Sequence, residues 1–133
     1  MKNIFRVLVV TSLLLYFIFL ITDYFSVYIY GRDILNALEW RGHTAKVSWA
    51  SSLFYPVVFL YILASVGLVL FKKWARSLFL FLTLFNTLML PFYGLVVEGH
   101  YHAFLGALIT LIDGSIITLA YLSSLGRQFS KIA

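Results

Sequence analysis

The chain has no cysteine. That excludes a disulfide, a thiolate metal site, a thiol nucleophile and a lipid-modified cysteine. Proline is almost missing as well, with only Pro56 and Pro91 in 133 residues. Charge is scarce: 11% of residues are Asp, Glu, Lys or Arg, against about 25% in ordinary soluble domains. There is no glycine loop to cradle phosphate, no pair of intramembrane carboxylates and no Ser–His pair at matching depth. Gly114-Ser115 lacks the strand-to-helix context of a nucleophile elbow. These absences argue against an enzyme, and no resident cofactor is expected.

What remains is apolar. Hydrophobic residues make up 62% of the chain, and they gather in four stretches, Val7–Thr22, Leu53–Phe71, Leu78–Val97 and Ala103–Leu125. A hydrocarbon core about 30 Å thick needs roughly 20 helical residues. The second stretch is just short, and Ser51 and Ser52 can extend it. The first continues past Asp23 into the aromatic run Tyr24–Tyr30. Lys2 and Arg6 ahead of Val7–Ile21 look like the start of a signal peptide. No small-x-small cleavage site follows, so the segment reads as an uncleaved signal-anchor. The expected fold is a single all-α domain over residues 1–133, a four-span antiparallel transmembrane helix bundle. Its spans are about 4–23, 51–71, 77–97 and 102–125, with an outer loop over about 24–50. Asp33 as a cap, the shared face of Ile34, Leu35 and Leu38, and Gly42 as a stop predict a short amphipathic helix in that loop.

The charges orient the spans. Lys2, Arg6, Lys72, Lys73, Arg76, Arg127 and Lys131 fall on one side with no acid among them. Arg32, Arg41 and Lys46 fall on the other, with Asp23, Asp33, Glu39 and Glu98. The positive-inside rule therefore places both termini in the cytoplasm. The net charge of +5 is then a topology signal and an attraction to anionic lipid heads, with no nucleic acid as partner. The charge bias leans toward a bacterial inner membrane. Tyr24, Tyr28, Tyr30, Trp40, Trp49, Trp74 and Tyr101 fit an aromatic belt.

Asp113 is the conspicuous residue. It lies 11 positions from His102 and 14 from Arg127, roughly 16 Å and 21 Å along a helix, so near the bilayer centre. A charged Asp there costs about 2.5–3.5 kcal/mol on insertion scales, and it should face protein. Asn86 lies 12 positions from Glu98, roughly 18 Å deep on the same rise, so the two side chains are expected at similar depth on adjacent helices. Thr83, Asn86, Thr87, Leu90 and Gly94 share one face of that helix. Gly106, Thr110, Asp113, Ile117 and Ala120 share one face of the next. Gly106, Thr110, Gly114 and Thr118 repeat every four residues, a small-xxx-small pattern that permits close helix approach. The simplest arrangement packs these faces together, with Asp113 bonded to Asn86. Pro91 would free the carbonyl of Thr87 as a second partner. Three roles for Asp113 stay open: a proton- or cation-responsive carboxyl of a small carrier, a clasp fixing helix register, and an acid facing a basic residue of a membrane partner.

A second cluster sits on the outer side. His43, His100, His102 and Glu98 could ligate Zn²⁺ or Cu²⁺, or the histidines could sense pH. The spacing is loose, and ordinary interfacial polarity explains the same residues.

The functional expectation is a small integral inner-membrane protein acting as an accessory, regulatory or protective interaction subunit through intramembrane helix packing. Its partners are membrane lipid and either another membrane protein or further copies of itself. The alternatives are a small proton- or cation-coupled carrier using the midplane carboxyl, and an outer-face metal or pH sensor.

Overall fold

The structure is a computed structural model that describes residues 1–38, 44–46, 54–95 and 97–131. Of those residues 84% are helical, with no strand among them. Six α-helices follow in order: α1 (Lys2–Ile29), α2 (Arg32–Leu38), α3 (Phe54–Val69), α4 (Lys73–Met89), α5 (His100–Leu122) and α6 (Gly126–Lys131). A 3₁₀ turn over Leu90–Phe92 follows α4.

Among the described residues, three segments are long and apolar enough to cross a bilayer: Lys2–Thr22, Lys73–Phe92 and His100–Leu122. They suit a membrane protein. The fourth apolar helix, α3, has 16 residues, about 24 Å. Its proposed extension through Ser51 and Ser52 lies outside the described residues.

Polarity is turned inside out. Ser12, Ser65, His102 and Asp113 are buried, while Val7, Ile18, Phe59, Phe81, Phe104 and Leu111 are exposed. Water would penalise that surface heavily, whereas hydrocarbon does not.

Phe5, Phe71 and Phe129 meet at one end, with ring centroids 5.3 to 5.9 Å apart. This draws the start of α1, the α3–α4 turn and α6 together. Arg6, Lys72 and Arg76 belong to the same end, called here the basic end. The core runs from these rings through Val9, Ala64, Leu68, Ala75, Phe79, Ile116 and Ala120. At the opposite end Tyr30 packs against His100 and Tyr101.

Helix α1 runs on past Asp23 through the aromatic run to Ile29, as expected, since nothing between them breaks it. Two other helix ends differ from expectation. Helix α4 stops at Met89, because Pro91 enters the 3₁₀ turn and Gly94 follows at φ 77°. Helix α3 closes in a Schellman-type turn, with Phe71 N–H on the Leu68 carbonyl and Lys72 N–H on the Gly67 carbonyl. Its left-handed position is Phe71 at φ 55°, where glycine is usual. The buried ring stack holds the phenylalanine there. The α6 helix, which buries Phe129 and follows the buried Leu125, was not anticipated. The short loop helix occupies Arg32–Leu38 with none of its residues buried; its expected stop, Gly42, lies outside the described residues.

Candidate functional site

Ser12 on α1, Tyr61 on α3 and Asp113 on α5 converge inside the bundle. From the basic end they stand ten residues after Lys2, eleven before Lys72 and ten before Ser123. Each therefore lies about 15 Å along its helix from that end, half the roughly 30 Å thickness of a hydrocarbon layer. Three helices, α1 running away from that end and α3 and α5 toward it, thus bring one oxygen-bearing side chain each to a common depth.

The contacts are short. The Ser12 hydroxyl donates to Asp113 Oδ1 at 2.5 Å. The Tyr61 hydroxyl donates to the same carboxyl, 3.1 Å from both Oδ1 and Oδ2. Ser12 Oγ and Tyr61 OH are 2.7 Å apart, and either can be the donor. Two hydroxyl protons thus serve a closed ring of oxygens, and a proton on the carboxyl would give every contact its own. All three residues are buried, Asp113 at 5% exposure.

The Tyr61 ring is fixed from both sides, by Tyr16 at 4.5 Å and Phe79 at 5.4 Å between centroids. Ser65, one turn on, is also buried, but its hydroxyl returns to the Tyr61 carbonyl at 2.8 Å. The site is therefore a packed polar clasp linking α1, α3 and α5. Chemically it can hold a proton or bring oxygens to a small cation.

Asp113 is thus buried against protein, but its partners are not those anticipated. Asn86 is exposed and makes no hydrogen bond among the described residues. The reason lies in Pro91. With α4 ending at Met89, Asn86 sits one turn from the helix end, beyond the buried line Ala75, Phe79 and Leu82. The Thr87 carbonyl is also occupied, by the Leu90 N–H. Thr87 is exposed and its hydroxyl bonds the Thr83 carbonyl.

The small-residue stripe does not form an α4–α5 seam. Thr110, Gly114 and Thr118 are exposed, and the two threonines bond the carbonyls of Gly106 and Gly114 on their own helix. A Cβ placed on Gly114 would meet nothing within 4 Å, and one on Gly106 would stand 3.6 Å from Phe19 of α1. Each four-residue step overshoots a full helical turn by about 40°, so the stripe winds away from the core. Helix α5 packs chiefly on α1, and α3 on α4. Gly67 allows the close approach of α3 to α4, where an added Cβ would come 2.5 Å from that of Ala75.

At the far end His102 is buried and stacked on Phe19 at 3.7 Å, with Nδ1 3.8 Å from Glu98. His100 is exposed and lies against Tyr30 and Tyr101. Among the described residues no group of three or more His, Asp or Glu side chains could hold a metal. His43 lies outside the described residues.

Sequence reasoning missed Ser12 and Tyr61. Both left a trace: Ser12, beside Thr11, lies in the middle of the first apolar stretch, and Tyr61 lies far from the belts that tyrosine favours.

Comparison with known protein families, with curated proteins and with solved structures finds no match.

Proposed function

We propose that this is a small integral inner-membrane protein that acts as an accessory, regulatory or protective interaction subunit through intramembrane helix packing. In this reading α1, α3, α4 and α5 are four antiparallel spans and both termini are cytoplasmic. The clustering of basic residues at the end that also holds Met1 and α6 supports the orientation. A 16-residue α3 spans if the bilayer thins slightly around it or flanking residues extend it.

The observation that carries the reading is where the polar chemistry points. Asp113 is satisfied entirely within the chain, by Ser12 and Tyr61. The small face of α5 is left outside: Ala103, Ala107, Thr110, Gly114 and Thr118 are all exposed. In hydrocarbon such a face gains little from lipid and much from the close approach of another helix. The test is the native mass of the tagged protein extracted from its own host in mild detergent. A stoichiometric partner, displaced when Gly114→Leu fills the face, is the expected result. A monomer whose composition Gly114→Leu leaves unchanged would refute it.

The carrier reading draws support from one feature, the convergence of carboxyl and hydroxyl oxygens at mid-depth. It requires flux that Asp113→Asn abolishes while the protein stays inserted, and normal flux in that variant would end it.

A further inference from the structure

Between α1 and α3, near the basic end, runs an apolar groove of about 230 Å³. Its walls are Val9, Val10 and Leu13 on one side and Val66, Val69 and Leu70 on the other. Ser65 also borders it, but its hydroxyl is engaged by the Tyr61 carbonyl, so the groove presents no polar group. Val10, Val66 and Leu70 are each about half exposed, at 46%, 49% and 53%, so the groove opens toward the bilayer.

Its lower end is charged. Arg6, Val9, Val10 and Leu13 follow the i, i+3, i+4, i+7 rule and share one face of α1. Arg6 Nε donates to the Val69 carbonyl at 3.3 Å, and its guanidinium lies 5.4 Å from the Phe71 ring centre. The arginine is thereby pinned across the mouth of the groove. Its two terminal nitrogens make no hydrogen bond or ion pair among the described residues. Lys72 follows Leu70 by two residues, and no acid lies in this part of the chain.

We propose that the groove holds an anionic phospholipid, with one acyl chain along its valine and leucine walls and the phosphate on Arg6. The geometry fits both halves of such a molecule. Counted from Lys2, Arg6 stands about 6 Å and Leu13 about 16 Å along the helix, so the apolar walls run to about the middle of a 30 Å core, and the long arginine side chain can reach back toward headgroup depth. Guanidinium recognises phosphate oxygens in bidentate fashion, and here it is held in place beforehand. A zwitterionic lipid would fill the groove equally well but gain less from the uncompensated basic rim. The inference rests on the reading that α1 and α3 lie in a bilayer.

The test uses the full chain reconstituted in nanodiscs of phosphatidylcholine and phosphatidylglycerol in equal amounts. Native mass spectrometry then counts the lipids of each class that stay bound. Phosphatidylglycerol should be retained in preference, and Arg6→Gln should lower that retention about tenfold. Arg127→Gln, which removes the same charge on the α6 side, should leave it unchanged. Val66→Phe, which occupies the groove without touching Arg6, should lower it as well, and decides the matter if Arg6→Gln fails to fold. Equal retention of the two lipids, or equal effects of Arg6→Gln and Arg127→Gln, would overturn the lipid site while leaving the membrane reading intact. A protein extracted from membranes by alkaline carbonate would overturn both.

Discussion

Tyr61→Phe isolates the clasp. The ring stays between Tyr16 and Phe79, so packing is preserved and only one oxygen is lost. That oxygen contacts Ser12 and both carboxyl oxygens of Asp113, so its removal leaves the buried carboxyl with Ser12 alone. Hydrogen bonds between membrane helices average about 0.6 kcal/mol and reach about 1.7. A buried polar group left unsatisfied costs about 1–3 kcal/mol. Together these give about 1–2 kcal/mol of lost stability. The sharper expectation concerns the triple variant Ser12→Ala, Tyr61→Phe, Asp113→Leu. It loses every bond in the ring but also every buried polar atom. Replacing a buried polar cluster by apolar groups of similar shape is often close to neutral. The triple should therefore lie within about 1 kcal/mol of the parent, well short of the summed single losses. Reversible unfolding in mixed micelles, followed by far-ultraviolet circular dichroism, gives the stabilities of the parent, the three single variants and the triple. Losses that add within about 0.5 kcal/mol, or a Tyr61→Phe variant as stable as the parent, would refute the clasp.

Three further outcomes follow from the packing and the topology. Gly67→Ala should destabilise by about 1–3 kcal/mol through overpacking against Ala75, whereas Gly114→Ala should be neutral or stabilise by up to about 1 kcal/mol; the same unfolding assay separates them, and equal effects would contradict the helix arrangement. Phe71→Gly relieves a left-handed residue, worth about 1–2 kcal/mol, but loses a ring worth about 3–5 kcal/mol in a core; a net loss of about 1–4 kcal/mol is expected, and a gain would show that the ring stack with Phe5 and Phe129 is weak. Because the chain has no cysteine, single cysteines report topology without background. With a membrane-impermeant maleimide, Tyr101→Cys should label in intact spheroplasts and Lys72→Cys only after permeabilisation; the reverse pattern would invert the proposed orientation.

The helical class and the membrane character were legible in the sequence, because both depend on composition and length along one axis. Long charge-free runs can satisfy their backbone in hydrocarbon only as helices here, and basic residues between them mark one side of the bundle. The burial of Asp113 was legible for the same reason: depth is a count of residues, and a carboxyl at that depth has to turn toward protein. The identity of its partners was not. It depends on azimuth, on which helix lies beside which, and on where each helix stops. Pro91 ends α4 early and carries Asn86 out of the core. The 40° drift of a four-residue repeat turns Gly114 and Thr118 outward. A glycine without any repeat, Gly67, sets the close approach of α3 to α4. Phe71 occupies a left-handed turn because Phe5 and Phe129, separated from it by 66 and 58 residues, close around its ring. By itself, the sequence determined how much of this chain is apolar and how deep its polar residues lie. Only the tertiary structure decided which of them meet, because meeting depends on rotation about helix axes and on contacts between residues far apart in the chain.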